Sequence, residues 1–388
     1  MKKINLLILL LIISPFLKAQ DKNSIGVNFI HGSVFSTKGS YNGVGVSYNI
    51  NAFNNESDWV RILNVKNISI NATYDNMSNI IGYSSGDPDF TNTGYFGKDL
   101  TLFSSIDINL INPKDFKFLL SPGIGFLYST KDYYNTKGVN TVIGTHLNVL
   151  SDIKLKLLLP ISESTDLQIS SGISHSSNSR TTMPNDGLNR IEALIGITKS
   201  LGETKMKYQD FKLPQNSISV EVLSGYTGQI KTGYFMPGNI YIQKNYNSSD
   251  NISKSSVSIY YNHYINDVFG IKIGTDLIYS SKILNKSNTN TFIETYQGNY
   301  TPDSHINTGS NLGINVCLNR IVFSGSYGYL FSKQYNINLQ NVNLLKEEKL
   351  VNRFYTTFSC KYFINKTFAL EVKSYLYDFG SAGISLNF

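Results

Sequence analysis

The 388-residue sequence lacks several features that mark helical membrane proteins and common soluble enzymes. Beyond residue 20, no apolar run approaches the roughly 20 residues that a transmembrane helix needs. Charged residues make up only 16% of the chain, and proline occurs nine times. The two cysteines, Cys317 and Cys360, lie too far apart for a metal motif and form either a disulfide or two free thiols. Without a phosphate-binding loop, metal cluster or redox motif, we expect neither a metal nor an organic cofactor.

Aromatic residues, in contrast, are plentiful, with 26 Tyr and 22 Phe. Tyr and Phe suit strands and membrane-interface girdles, whereas Asn, Ser and Gly suit turns and the wet interiors of barrels. The net charge of +7 fits an anionic partner such as lipopolysaccharide, and equally an undirected basic bias. We expect no nucleic-acid partner.

The N-terminus has the pattern of a Sec signal peptide. Two lysines follow Met1, residues 4–13 form an apolar run apart from Asn5, and the small residue Ala19 lies near the end of the segment. The alternative, a membrane anchor, needs a longer run to cross about 30 Å of hydrocarbon. We therefore assign residues 1–20 to a signal peptide and expect export from the cytoplasm.

Apolar and polar residues alternate with period two throughout the rest of the chain, as along residues 43–50, 67–74 and 153–157. The pattern predicts an all-β chain with about eight strands in residues 21–200, a linker at 201–215 and about eight strands in 216–388. A soluble sandwich would alternate too. Short turns that alternate with long polar segments favour an antiparallel outer-membrane β-barrel. Pattern alone leaves open whether one large barrel or two small ones form.

Two further features concern hairpins and assembly. Residues 264–269 resemble residues 363–368, and each segment contains a predicted tight turn. The last strand alternates and ends on Phe388, which resembles the signal read by the outer-membrane assembly machinery. Because this signal stands only at the end of the chain, we expect the first half to depend on the second for assembly.

Residues 172–192 contain the motif with the clearest chemical meaning. They resemble the active-site stretch of the PagL-type outer-membrane lipid A deacylases, which have His-x-Ser-Asn, a short loop and Pro-Asn-x-Gly. The matching residues are His175, Ser177, Asn178, Pro184, Asn185 and Gly187. The family's usual Glu is replaced by Asn189. The resemblance implies an outer-membrane serine esterase that acts on lipid A of lipopolysaccharide over residues 21–200; residues 216–388 resemble the extended acyloxyacyl hydrolases of the family.

Residue parity gives an independent prediction for the same segment. His175 and Ser177 share the parity of the apolar residues of their strand, so both should face lipid, and Asn189 should face lipid from the next strand. Glu192 has the opposite parity and should point into the lumen unless a bulge intervenes. At a strand tilt near 40°, His175 should lie in the outer leaflet.

This arrangement suits ester hydrolysis. Ser177 would be the nucleophile, His175 the base and Asn189 the group that orients the imidazole. By resemblance, Asn178 and Asn185 would form the oxyanion hole and Gly187 would shape the site. The alternatives are a barrel without enzymatic activity, either a pore or a structural protein, and an inactive descendant of the family. A second His-x-Ser at residues 31–33 is interpreted as a strand-end feature.

Overall fold

Alternation along the first half produces eight long antiparallel strands that close into a barrel. The computed structural model describes residues 23–35, 37–52, 57–83, 93–111, 116–132, 142–178, 187–201, 211–227, 234–236, 240–242, 252–281, 300–302, 304–336, 350–375 and 379–388. The expected signal peptide lies outside these residues. Among the described residues, no helix is long and apolar enough to span a membrane.

The N-terminal barrel contains β1 (Ser24–Val34), β2 (Tyr41–Asn51), β3 (Val65–Asn76), the short strands β4 (Ile81–Tyr83) and β5 (Thr93–Tyr95), β6 (Lys98–Ile111), β7 (Lys117–Ser129), β8 (Leu147–Ser162), β9 (Thr165–Ser177) and β10 (Leu188–Ser200). The eight long strands form the closed ring β1-β10-β9-β8-β7-β6-β3-β2. The short strands β4 and β5 pair with each other in the connection between β3 and β6.

The C-terminal barrel contains β11 (Asn216–Thr227), β12 (Tyr234–Met236), β13 (Ile240–Ile242), β14 (Ile252–Tyr264), β15 (Phe269–Ser280), β16 (Tyr300–Pro302), β17 (Ile306–Leu318), β18 (Ile321–Asn336), β19 (Leu350–Phe363), β20 (Phe368–Tyr375) and β21 (Phe379–Asn387). Pairing of β18 with β19 closes its eight long strands, and β16 pairs with the end of β18. The chain therefore forms two eight-stranded barrels, which answers the question that the pattern left open.

The two faces of each sheet decide between a membrane barrel and a soluble sandwich. Outward positions carry large apolar side chains, such as Phe29, which is 67% exposed. The lumen of the N-terminal barrel is filled by polar groups: Arg190 binds Asp75 at 3.1 Å, and Lys156 binds Asp107 at 2.8 Å. A soluble fold would bury the apolar face and expose the charges. The reversed arrangement is that of an outer-membrane barrel.

The predicted hairpin repeat forms two matching turns. Asn266 Oδ1 accepts hydrogen bonds from the backbone N–H groups of Val268 and Phe269, at 2.9 and 2.8 Å. Asn365 Oδ1 accepts from the corresponding residues Thr367 and Phe368 at the same distances. Each asparagine thus fixes a tight turn through its side chain, as this residue type commonly does.

Several details differ from the sequence-based prediction. Residues 331–350 have the polar pattern of a long loop in the sequence, but β18 continues to Asn336, and Gln334 pairs with Asn352 beyond a register shift. A short helix, α1 (Asp58–Ile62), lies between β2 and β3 and has no signal in the alternation pattern. Cys317 and Cys360 are both free thiols.

The two barrels meet at the ends where their termini lie. Trp59 of α1 is buried in one apolar cluster with Val268 of the β14–β15 turn. Lys212, in the linker, donates to the carboxylates of Asp58 and Asp267. The bond to Asp58, followed by the bond to Asp267, raises the pKa of Lys212, and Lys212 in turn lowers the pKa of Asp58. The linker thus helps to join the barrels.

Candidate active site

The candidate site lies on the hairpin of β9 and β10. The two strands pair in an unbroken register in which His175 faces Asn189 directly. No bulge interrupts the paired residues, so Glu192 stays on the lumen side, where its carboxylate accepts a hydrogen bond from Tyr41 Oη at 2.8 Å and lies 3.2 Å from Lys154 Nζ. The structure thus agrees with the parity prediction that His175 faces outward and Glu192 faces the lumen.

The imidazole of His175 is oriented by its neighbour across the hairpin. Its Nδ1 lies 2.8 Å from Oδ1 of Asn189, and the pair is exposed on the outward face. A carboxamide oxygen only accepts hydrogen bonds, so in this arrangement Nδ1 carries the hydrogen. Nε2 is then the nitrogen with a lone pair, which is the atom that a general base uses.

Ser177 follows His175 by two residues on the same outward side of β9. It is half-buried and pairs with Val149 of β8. Residues two apart along a strand are separated by about 7 Å at Cα. The hydroxyl therefore lies near the end of the strand, one step closer to the β9–β10 loop than the imidazole.

Gly187 brings the returning chain over the ring of His175. Its φ is +81°, in the left-handed region that favours glycine. A Cβ at this position would overlap Cε1 of His175, so a larger residue would displace the imidazole. The N–H of Gly187 donates to the carbonyl of Val142 at 3.1 Å, and its own carbonyl accepts from Asn189 Nδ2 at 3.5 Å.

Of the two residues predicted to form the oxyanion hole, the structure describes only Asn178. Asn178 is buried, and its Nδ2 donates to Thr145 Oγ1 at 3.4 Å. It lies on the lumen side of the strand end, so it does not share the outward face of Ser177. Asn185 and Pro184 lie outside the described residues. Because Thr145 contacts Asn178 and Val142 contacts Gly187, the segment before β8 braces both arms of the hairpin, a role that the sequence motif did not indicate.

Histidine–asparagine pairs also occur elsewhere. His31 Nδ1 lies 2.9 Å from Oδ1 of Asn42, with Ser33 two residues further along β1. His263 makes the same contact with Asn216, at 2.8 Å, at the linker end of the C-terminal barrel. The pair alone is therefore not diagnostic of a site. The β9–β10 hairpin is distinguished by Gly187 against the ring and by the bracing segment before β8.

Comparison with known families accounts for both barrels. Residues 42–198 match the family described as lipid A 3-O-deacylase (PagL), and residues 228–386 match the C-terminal domain of the acyloxyacyl hydrolases (PagL_C). The chain belongs to the PagL family. Membership of this family, together with the barrel fold, places the protein in the outer membrane. No curated protein matched the sequence.

Several solved structures resemble parts or most of the PagL-family chain. The outer membrane enzyme PagL is 13% identical, with a TM-score of 0.30, over 45% of this chain and 99% of its own. Neisserial surface protein A is 10% identical, also with a TM-score of 0.30, over 46% of this chain and 97% of its own. The toluene transporter TodX of Pseudomonas putida is 10% identical, with a TM-score of 0.15, over 95% and 88%.

Proposed function

We propose that the N-terminal barrel is a serine esterase that hydrolyses an acyl ester of lipid A in the outer membrane. The observation that carries this proposal is the lipid-facing hydrogen bond between His175 and Asn189, with Gly187 against the imidazole and Ser177 two residues further on the same face. Polar side chains that face hydrocarbon have a desolvation cost, so their presence asks for a function.

The reaction follows from the orientation of the imidazole. Ser177 Oγ attacks the ester carbonyl while Nε2 of His175 takes the hydroxyl proton, and the sugar oxygen leaves with that proton. Water then attacks the acyl-serine, again with His175 as the base, and releases the fatty acid. Asn189 holds the Nδ1–H tautomer but, being neutral, cannot balance the charge of the imidazolium. Asn185 is the remaining candidate for stabilising the oxyanion, since Asn178 lies on the lumen side, and Gly187 sets the position of the ring.

The position of the hairpin supports access to substrate. In the ring of strands, β9 and β10 lie opposite β3 and β6. Val268, Val316 and Leu318 of the C-terminal barrel belong to the same apolar cluster as Ile68 of β3 and Ile106 of β6, so the C-terminal barrel lies near these two strands. The candidate site is therefore on the side of the barrel that faces open membrane. Export by the N-terminal signal peptide, assembly through Phe388 and an extracellular loop at 178–187 would present it to the outer leaflet, where lipid A and other outer-membrane lipids surround the barrel.

The main rival function is a pore, and the filled lumens argue against it. In the C-terminal barrel, Glu221 binds Lys361 at 2.6 Å and Lys373 at 2.5 Å. With the ion pairs of the N-terminal barrel, these side chains occupy the space that a channel needs. The test is to measure conductance of the purified protein in planar bilayers beside hydrolysis of lipid A. For a deacylase we expect hydrolysis of lipid A that requires Ser177, and no channel currents. A pore would give channel currents and no hydrolysis.

A further inference from the structure

A distinctive hydrogen-bond motif stands beside the candidate site, where β7 connects to β8. The imidazole of His146 donates through Nδ1 to the carbonyl of Ser129 at 2.7 Å, and Ser129 N donates back to the carbonyl of His146 at 2.8 Å. The ring of His146 stacks on Tyr128 at 5.6 Å between centroids. Thr145 Oγ1 donates to the carbonyl of Leu147 at 2.8 Å.

The same motif recurs in the C-terminal barrel, where β15 connects to β17. His305 donates through Nδ1 to the carbonyl of Ser280 at 2.8 Å, and Ser280 N donates back at 2.8 Å. The ring of His305 stacks on Tyr279 at 6.1 Å. Ser304 Oγ donates to the carbonyl of Ile306 at 2.6 Å. Matching residue types in matching contacts identify the two connections as structural equivalents.

This equivalence locates the counterpart of the candidate site in the C-terminal barrel. Five residues after the histidine of each motif comes a serine, Ser151 on β8 and Ser310 on β17. Ser151 pairs with His175, and Ser310 pairs with Tyr329. Tyr329 of β18 therefore occupies the place of His175.

The remaining positions follow from the same registers. Phe354 pairs with Tyr329 just as Asn189 pairs with His175. Phe331 stands two residues beyond Tyr329, as Ser177 stands beyond His175. The base, the nucleophile and the orienting amide are thus all replaced by aromatic residues, so the described residues of this hairpin place neither a serine nor a histidine at the three equivalent positions.

Four aromatic residues and one arginine form a defined surface, called the aromatic patch. It consists of Tyr327, Tyr329, Phe331, Phe354 and Arg353. Phe354 stacks on Tyr327 with centroids 5.5 Å apart and meets Tyr329 edge-on at 5.3 Å. Arg353 Nη1 donates to Tyr329 Oη at 2.8 Å. Tyr327, Phe331 and Phe354 are each more than half exposed.

We propose that the aromatic patch binds one molecule of lipid A without hydrolysing it. The choice of occupant rests on the proposed function, because the patch is the counterpart of a site for that lipid. A guanidinium carries five donors and pairs well with phosphate, and Arg353 is held in place by Tyr329. The rings present flat apolar surface to sugar and acyl chain. The C-terminal barrel thereby serves as a docking module for the substrate of its neighbour.

The test uses the full chain with Ser177→Ala, so that bound lipid A stays intact, and counts lipids by native mass spectrometry during titration. We expect two molecules of lipid A per chain. Adding Tyr329→Ala and Arg353→Gln should weaken one of the two by about tenfold, the effect of losing one charged hydrogen bond. Tyr362→Ala, an exposed aromatic of β19 at the other end of the strand, is the matched control and should change nothing.

Several outcomes would overturn the proposal. Equal binding by the patch variant and the control variant would show that the rings only anchor the barrel at the interface. Equal binding of phosphatidylglycerol at the patch would show a general anionic-lipid surface. Heat-modifiable migration on gels confirms that each variant is folded. Hydrolysis of lipid A is measured separately with chains that retain Ser177. If a second lipid binds but no hydrolysis occurs, the esterase assignment is refuted and the patch is not. If hydrolysis occurs but no second lipid binds, the patch is refuted and the esterase assignment is not.

Discussion

The Nδ1 atom of His175 lies 2.8 Å from Oδ1 of Asn189, directly across the β9–β10 hairpin. A carboxylate at this place would stabilise the imidazolium that forms during attack, and more strongly near hydrocarbon than in water. We predict that Asn189→Glu keeps or raises kcat for lipid A, whereas Asn189→Ala lowers it by about tenfold, since it removes one orienting hydrogen bond. Steady-state kinetics of purified protein in mixed micelles provides the measurement. Unchanged kcat in both variants would remove Asn189 from the mechanism.

Glu192 should matter for stability and not for catalysis. Its carboxylate is buried between Tyr41, Lys154 and Arg190. Nε of Arg190 lies 3.5 Å from Oε1 of Glu192. Replacing one partner of a buried ion pair leaves the others uncompensated and costs about 3–5 kcal/mol. We predict that Glu192→Gln lowers the midpoint of heat-modifiable unfolding while kcat of the folded fraction stays the same. Loss of kcat in Glu192→Gln together with full activity in Asn189→Ala would mean that a bulge brings Glu192 to the outward face.

Gly187 is expected to be sensitive to the smallest substitution. Its φ of +81° and the overlap of a Cβ with His175 both oppose alanine. The backbone strain costs about 1–3 kcal/mol and the ring of His175 must shift. We predict that Gly187→Ala folds, judged by heat-modifiable migration, and loses kcat by about tenfold or more, because small displacements of a catalytic group have large effects.

Gly196→Ala would be a poor control for Gly187→Ala because a Cβ there meets backbone. Gly45→Ala, with nearest contacts of 3.4 and 3.5 Å to side chains, is a better one. Equal loss in both variants would indicate general destabilisation.

The hairpin illustrates what the sequence could and could not predict. Period-two alternation is a local property, so the outward placement of His175 and Asn189 and the inward placement of Glu192 followed from parity alone. The bracing contacts of Val142 and Thr145 could not be predicted in this way, because they join segments that lie apart in sequence. The motif shared by residues 128–148 and 279–307 was visible as a repeated Tyr-Ser followed by His-x-Asn, but only the registers of β8 and β17 gave it meaning.

The number of barrels was not encoded in any local pattern. Closure of a barrel depends on which strands distant in sequence pair with each other. The N-terminal barrel closes because β10 pairs with β1 over residues Arg190 to Ser200. We predict that a chain of residues 21–201 refolds in detergent to a heat-modifiable form, since the N-terminal barrel closes without any strand of the second half. In cells the same chain should assemble poorly, because it lacks Phe388. Failure to refold in detergent would show that contacts such as Trp59 with Val268 are required for folding.

The most direct measurement is mass spectrometry of lipid A from cells that express the wild-type protein, Ser177→Ala or Ser33→Ala. Ser33 is the matched control, because it follows a histidine that is paired to an asparagine on the same barrel. We predict that the wild-type protein and Ser33→Ala remove an acyl chain from lipid A, and that Ser177→Ala leaves the lipid intact while the protein remains folded in the outer membrane. Removal of the same acyl chain by Ser177→Ala, or an unchanged lipid A mass with the wild-type protein, would contradict the assignment of Ser177 as the nucleophile of a lipid A deacylase.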